Sequence, residues 1–165
     1  MRVSDYDMVE EGLYAGRGCV VAPSVDAVIC LDPACRVRAP GAVEYCYPIE
    51  EFSVEPFGNT ARAIAKLLEL RGKGASVYVH CVAGCGRTGT IIASYFVLAR
   101  AFTGKEAVAY YRFVRGCGLE TWDQVELVHA LGRLRELVGP REALRVLLEA
   151  RDFGDFLGRV KRLTR

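Results

Sequence analysis

Long apolar runs, low-complexity tracts and internal repeats are missing from this sequence of 165 residues. No apolar stretch approaches the roughly 18–20 residues that cross a bilayer, so we expect no membrane span. Intrinsic disorder is excluded, because 52% of the residues are hydrophobic and 25% are charged. The first residues include acids early and lack the apolar core of a secretory signal. We therefore expect a cytoplasmic protein.

An excess of one charge is also missing, since 22 bases and 20 acids give a net charge of +2. This balance predicts no nucleic-acid partner. The sequence has 2 histidines, far apart, and no C-x2-C pair, so no metal and no cofactor are predicted. Its 7 cysteines are too few for a disulfide scaffold and odd in number. In an ordinary cytosol most would be buried thiols, whereas a hyperthermophile host would permit disulfides. Cys30 and Cys46, which lie on adjacent predicted strands, are a candidate disulfide pair.

Short strands and helices alternate along the chain. The patterns predict strands over 12–16, 25–31, 42–47 and 76–80. They predict helices over 57–71, from about Thr88 to 102, and over 104–115, 121–138 and 140–163, the last with a possible break near Arg151. These elements indicate an α/β fold with a central, mostly parallel sheet of about four to five strands flanked by helices, and a helical C-terminal third.

We expect residues 1–165 to form a single domain, with residues 140–165 as a C-terminal helical extension. The extension carries apolar residues on one helical face and basic residues elsewhere. It is interpreted as a helix packed on the domain, and the alternative is a helix that binds a membrane surface or a partner. The sequence leaves the oligomeric state open.

One loop combines several features that suit a phosphate dianion. It reads CVAGCGRTG from Cys81 and follows a strand, where ligands of such sheets bind. Gly84 and Gly86 allow a tight turn whose amides point inward, and the next helix directs its positive end at the same hollow. Arg87 can donate two hydrogen bonds to one oxyanion. The same positive field favours the thiolate form of Cys81, which would then be a nucleophile.

Three other interpretations of this loop are open. Cys81 could be a buried structural thiol, or the glycine-rich turn could be a simple connection or a nucleotide loop. The missing lysine of a G-x4-G-K-[ST] loop argues against nucleoside triphosphates. The loop could also bind phosphate without turning it over, and this alternative stays open.

The segment HCVAGCGRTG resembles the H-C-x2-G-x-G-R-[ST]-G signature of the cysteine-dependent protein tyrosine phosphatases. The similarity is to the small dual-specificity branch, above all to compact archaeal-type enzymes, and runs from about Glu11 to Leu131. The resemblance implies a cysteinyl-phosphate formed on Cys81, with the phosphoryl group bound by the loop. The implied phosphate-binding residues are Val82, Ala83, Gly84, Cys85, Gly86 and Arg87.

The resemblance also implies roles for residues around the loop. Thr88 would hydrogen-bond the thiolate, and His80 would brace the loop. Gln124 matches a glutamine that positions the hydrolytic water, although alone it could be a surface helix residue. Arg115 matches a supporting arginine, but Gly116 replaces the usual proline.

The general acid of the family is an aspartate about 30 residues before the cysteine, and this sequence has no aspartate there. This region reads YPIEEFSVEP here, and Glu51 aligns best, followed by Glu50. The longer side chain could donate the proton, but the segment could also be a solvated acidic loop. Cys85 replaces a bulkier residue and is interpreted as a packing residue, or as a thiol that traps oxidised Cys81 in a disulfide.

The loop has no lysine at its variable positions, which disfavours inositol phosphates. The function predicted is therefore a protein-tyrosine or dual-specificity phosphatase with phosphorylated proteins as substrates. The chain is short, so a shallow pocket could accept phosphoserine and phosphothreonine as well. The alternatives are a phosphate-binding module without catalysis and a phosphatase of another phosphoester, such as an RNA 5′ end.

Overall fold

The computed structural model describes residues 3–165 and has the expected α/β architecture. A sheet of five strands has the order β1-β2-β5-β3-β4. Its strands are β1 Tyr6–Glu10, β2 Leu13–Gly16, β3 Ala27–Cys30, β4 Val43–Cys46 and β5 Val77–His80. β1 is antiparallel to β2, and the other pairs are parallel, so the prediction of a mostly parallel sheet is confirmed.

β1 is the strand that the sequence did not predict. It is an edge strand with a bulge between Met8 and Glu10, and its two acidic residues break the alternation typical of a half-buried strand. It turns into β2 at Gly12, whose φ of +81° suits glycine. The four predicted strands are present, β3 and β4 shorter than predicted at both ends and β2 and β5 shorter by one residue at the start.

Six α-helices are described, and a short 3₁₀ helix, Pro33–Cys35, lies between β3 and β4. The helices are α1 Phe57–Gly72, α2 Gly86–Arg100, α3 Gly104–Arg115, α4 Trp122–Val138, α5 Pro140–Glu149 and α6 Phe153–Leu163. The predicted helix over 140–163 is two helices, separated at Ala150–Asp152. Asp152 caps α6 by accepting from the Asp155 amide at 2.7 Å, which explains the break near Arg151.

The core lies between one face of the sheet and the helices. Inward-facing strand residues such as Ile29 and Val79 pack there with buried residues of α1, α2 and α4. The opposite face carries a smaller cluster around Val28 and Tyr78, formed by strand and loop residues. The carboxyl ends of β3 and β5 lie next to the N-terminus of α2. The candidate site is formed there.

The C-terminal helices pack on the domain. Phe156 of α6 is fully buried, and its ring lies 5.5 Å from that of Phe57 in α1. The Phe153 amide donates to Glu55 at 2.9 Å, which ties the start of α6 to the segment before α1. No helix among residues 3–165 is long and apolar enough to cross a membrane.

Candidate active site

The loop over 81–85 leaves β5 and enters α2 at the carboxyl edge of the sheet. Gly84 has a φ of +74°, and a Cβ there would lie 2.3 Å from the Gly16 carbonyl oxygen. Only glycine fits this approach of two backbones. Gly86 is less confined, because a Cβ there would meet only side-chain ends, at 2.6 Å from Glu120 Oε1 and 3.0 Å from Gln124 Oε1. Gly84 is therefore the glycine that fixes the path of the loop.

Two side chains outside the loop orient its peptide groups. Arg115 donates to the carbonyl oxygens of Ala83 and Gly84, at 3.0 and 3.2 Å, and the Tyr111 hydroxyl donates to Gly84 O at 2.8 Å. In a planar trans peptide the N–H points opposite to the C=O. The amides of Gly84 and Cys85 therefore point away from Arg115. This orientation of the two amides is the one that the predicted anion-binding loop requires.

Arg115 is 2% exposed and is itself held by Asp7 of β1 at 2.8 Å. The supporting arginine predicted from the resemblance is thus in contact with the loop. Tyr111 was missed by the sequence analysis, because a buried aromatic residue on a helix gives no functional signal. Burial raises the pKa of Tyr111 well above its usual value, so this phenol remains a hydrogen-bond donor.

Cys81 and Thr88 meet at the start of α2. Cys81 is 3% exposed, and the Thr88 hydroxyl lies 3.1 Å from its sulfur. Thr88 Oγ1 donates this bond to the sulfur. The hydroxyl proton and the N-terminus of α2, which carries partial positive charge, therefore both lie beside the sulfur.

Arg87 lies buried beside the loop, at 5% exposure. Its Nη1 donates to Asp32 Oδ2 at 3.0 Å and to Ile49 O at 2.8 Å. Within residues 3–165, neither Nε nor Nη2 has a hydrogen-bond partner. That edge of the guanidinium is therefore left for a bidentate oxyanion.

Asp32 was also missed, although it follows β3 at the carboxyl edge of the sheet. Ligands of such sheets bind at the carboxyl ends of the strands, and this rule applies to Asp32 as it does to Cys81. Asp32 Oδ1 additionally accepts the Ala34 amide at 3.1 Å, so the carboxylate is held by its own turn.

His80 is fully buried behind the loop, and its Nδ1 lies 3.0 Å from Cys81 O. Since a carbonyl only accepts, Nδ1 carries the proton. Burial lowers the pKa of His80 below its usual 6.5, so the ring is neutral at pH 7. Its Nε2 is buried without a hydrogen-bond partner among the described residues.

Gln124 is buried, so it is not a surface helix residue. Its Oε1 accepts the Glu120 amide at 2.7 Å and, in a capping box, the Thr121 amide at 3.3 Å, and its Nε2 donates to Ser53 O at 3.4 Å. It thus lies against Gly86 and also against the segment that carries the predicted acid. Its contacts connect the loop, α4 and that segment.

Glu50 and Glu51 are both exposed, and neither has a side-chain hydrogen bond among the described residues. Their segment is anchored on both sides of Glu51, by Ile49 O on Arg87 and by Ser53 O on Gln124. The structure therefore holds the backbone of Glu51 at the edge of the site. It brings no carboxylate of this segment into contact with Cys81.

The cysteines correct the sequence analysis, because four of the seven form disulfides, Cys19–Cys35 and Cys85–Cys117. The two bonds fit the alternative of a host that permits intracellular disulfides, and the expectation of mostly buried thiols for an ordinary cytosol is not met. Cys85 is neither a packing thiol nor able to trap Cys81 while it is bonded to Cys117. The candidate pair Cys30 and Cys46 remains unbonded.

Both disulfides adjoin the loop. Cys85–Cys117 connects it to the segment between α3 and α4. Gly18 lies beside Cys19, and a Cβ at Gly18 would lie 2.2 Å from Cys35 O and 2.6 Å from Cys81 O. No cysteine spacing in the sequence indicates either bond.

Residues 26–131 match the family described as dual specificity phosphatase, catalytic domain. This match covers most of the chain, which belongs to that family. It is thus a phosphatase catalytic domain of the cysteine-dependent superfamily, in the small dual-specificity branch.

Among curated proteins, the chain is 41% identical over 64 residues to the phosphatidylinositol 3,4,5-trisphosphate 3-phosphatase ptn1 of Schizosaccharomyces pombe, over 37% of this chain and 18% of ptn1. It is 36% identical over 62 residues to the tyrosine-protein phosphatase CDC14 of Saccharomyces cerevisiae, over 38% of this chain and 10% of that protein. The chain spans less than a fifth of the length of these relatives.

Two solved structures have a similar fold. Tk-PTP in the active form has a TM-score of 0.65 at 21% identity, covering 78% of this chain and 96% of that one. PTPMT1 in complex with PI(5)P has a TM-score of 0.64 at 17% identity, covering 87% of this chain and 97% of that one.

Proposed function

We propose that the chain is a protein-tyrosine or dual-specificity phosphatase that acts through a cysteinyl-phosphate. The observation that carries the proposal is the Thr88 hydroxyl on the Cys81 sulfur, inside a loop whose carbonyls Arg115 and Tyr111 hold outward. A negative sulfur and a nest of amides around one hollow suit nucleophilic attack on a phosphate monoester.

In the first step the Cys81 thiolate attacks phosphorus, the P–S bond forms and the bond to the leaving oxygen breaks. The loop amides and the free edge of Arg87 bind the three equatorial oxygens. Glu51 protonates the leaving oxygen, and Glu50 is the alternative acid. Phosphoryl transfer depends mainly on such positioning and charge stabilisation.

In the second step water attacks the cysteinyl-phosphate, and the P–S bond breaks. Gln124 orients the water, and the Glu51 carboxylate accepts its proton. Thr88 stabilises the departing thiolate through the same hydrogen bond. No metal or cofactor has a part in these steps.

Phosphorylated proteins are the proposed substrates, because Val82, Ala83 and disulfide-bonded Cys85 offer no lysine to the extra phosphates of an inositol lipid. Against this stands the similarity to ptn1 and PTPMT1, whose names and titles refer to phosphoinositides. A cytoplasmic location is proposed as well. With two disulfides, it requires a host whose intracellular proteins keep disulfides.

A substrate panel tests the proposal. It contains phosphotyrosine, phosphoserine and phosphothreonine peptides, inositol phosphates and RNA 5′ ends, with Cys81→Ser as the blank. We expect phosphotyrosine peptide to be hydrolysed fastest. A wild type that equals the blank throughout but binds phosphopeptide would establish the binding-module alternative.

Glu51→Gln and Glu50→Gln are compared next on a substrate with a poor leaving group. Glu51→Gln should lower kcat by about 10²–10⁴, the usual contribution of a general acid. An unchanged rate for Glu51→Gln would remove Glu51 from the mechanism.

A further inference from the structure

Three potential metal ligands lie together on the sheet, apart from the phosphate loop. Cys30 of β3 and Cys46 of β4 are register partners in a parallel pair, so their side chains project from the same face. Glu44 is two residues before Cys46 on β4 and shares that face. The Sγ atoms of both cysteines and a Glu44 carboxylate oxygen all lie within 4.8 Å of one another.

These distances suit a tetrahedral ion after a small adjustment. Zinc binds thiolate at about 2.3 Å and carboxylate at about 2.0–2.2 Å, which places two thiolates about 3.8 Å apart. Cys30 is buried, Cys46 half-buried and Glu44 exposed, so the cluster opens to solvent at the edge of the sheet. Two thiolates and a carboxylate prefer a borderline or soft ion over magnesium or calcium.

We propose that Cys30, Cys46 and Glu44 bind a thiophilic divalent cation of the zinc type. Binding releases the protons of the two thiols, and the metal forms two bonds to sulfur and one to oxygen. A water fills the fourth position, on the exposed side of Glu44. The proposal does not depend on the proposed function.

The state of the other cysteines favours this assignment. Four of them are in disulfides, and Cys81 serves the phosphate loop, so Cys30 and Cys46 are the two remaining free thiols. The same register row continues to His80 on β5, whose Nε2 is buried without a partner among the described residues. The row therefore contains thiol and imidazole groups, which are donor types that zinc uses.

Arg36 competes with the metal, because its guanidinium donates to Glu44. The Arg36 side chain is 56% exposed, so it can move into solvent when the metal takes the carboxylate. Removing Arg36 should therefore tighten metal binding.

Cobalt binding to the Cys81→Ser protein tests the proposal, since this variant removes the catalytic thiol and keeps the cluster. We expect one Co²⁺ per chain, with sulfur-to-metal charge-transfer absorption that Zn²⁺ abolishes. Cys46→Ser in this background should remove the absorption. Glu44→Gln should weaken binding by roughly tenfold or more, since even outer partners of ligands contribute about 10–100-fold.

Arg36→Ala should bind Co²⁺ more tightly, and Glu69→Gln, an exposed carboxylate on α1, should bind as the parent does. Circular dichroism checks that each variant is folded. The proposal fails if Cys81→Ser gives no charge-transfer absorption or if Cys46→Ser keeps it. It also fails if thiol titration of wild type under denaturing conditions finds one thiol instead of three, which would indicate a Cys30–Cys46 disulfide.

Discussion

Arg87 is held in place before any phosphate arrives. Asp32 and Ile49 belong to different connections of the chain, and both accept from the same nitrogen, Nη1. These two bonds restrain the guanidinium and leave Nε and Nη2 without a hydrogen-bond partner among the described residues. A lysine could supply the positive charge but not the two parallel N–H donors of a guanidinium.

Arg87→Lys should lower kcat for an aryl phosphate by on the order of 10²–10³, the usual effect of losing one positioned oxyanion donor. Steady-state kinetics at saturating substrate measures this. Arg133→Lys is the matched control, since Arg133 is exposed and pairs with Glu126. A kcat equal to that of the control would contradict the bidentate role of the Arg87 guanidinium.

Thr88 should act mainly in the second step, when the thiolate leaves. Thr88→Val removes the donor 3.1 Å from the sulfur, so hydrolysis of the cysteinyl-phosphate should slow more than its formation. Rapid mixing with an aryl phosphate should then show a burst of phenol followed by a slow steady state. Thr88→Ser keeps the hydroxyl and should restore turnover. Equal slowing of both phases would assign Thr88 to packing alone.

His80 makes stability depend on pH. Its pKa is lowered in the folded state by burial, so the unfolded chain takes up a proton at a higher pH than the folded chain. Stability should therefore fall as the pH drops below about 6.5, with a slope of up to about 1.4 kcal/mol per pH unit.

Urea denaturation between pH 5 and 7 measures the effect of His80. His80→Asn keeps a donor for Cys81 O but does not titrate, and its stability should vary less over this range. Parallel profiles for the two proteins would show that other groups cause the acid sensitivity.

At the scale of elements, the Cys85–Cys117 disulfide joins the phosphate loop to the segment before α4. It closes 32 residues of chain, for which loop entropy gives about 3–4 kcal/mol of stabilisation. The double variant Cys85→Ser/Cys117→Ser should lose about that much stability in urea. It should also lose activity, because Gly86 and Gln124 lie on the two connected segments.

Cys19→Ser/Cys35→Ser is the control for the disulfide, since its bond closes 16 residues and does not join the loop to α4. It should lose a similar amount of stability and retain more activity. If both double variants lost activity equally, the connection to α4 would have no special role.

Most elements could be predicted because their signals are local. Glycine, capping residues and apolar spacing set the limits of α1, α3 and α4, and the β-branched run of β5 identifies a buried strand. β1 could not be predicted, because its acidic residues form ion pairs with arginines that are distant in sequence. Glu10 pairs with Arg71 and Arg100, and Asp7 pairs with Arg115.

The same distinction applies to the site. Cys81, Arg87 and Thr88 lie within one short stretch of the chain, at the end of the loop and the start of α2, so their spacing in sequence already brings them together. Tyr111 and Cys117 reach that loop only through the folded chain, and no local pattern indicates them, whereas Asp32 is indicated only by its place after β3. Glu51 is intermediate, because the chain order gives its segment but not the position of its carboxylate.

At the scale of the whole molecule, α6 is connected to the acid segment through Glu55. One oxygen of this carboxylate accepts the Phe57 amide at 2.8 Å, and the other accepts the Phe153 amide at 2.9 Å. Glu55 O also accepts the Glu50 amide at 2.8 Å, which closes the segment that carries Glu51. The C-terminal helix therefore supports the position of the predicted acid from a distance.

Phe156→Ala tests this support, since Phe156 is fully buried and holds α6 against Phe57. The substitution should destabilise the protein by about 3–5 kcal/mol, the usual cost of deleting a buried phenylalanine ring. Phe113→Ala, at a side chain 87% exposed, should change stability by about 0.5 kcal/mol or less. Well below the unfolding midpoint, Phe156→Ala should lower kcat more for a poor leaving group than for a good one, because only the former needs the Glu51 proton. An equal decrease for both substrates would mean that α6 stabilises the fold without positioning the acid segment.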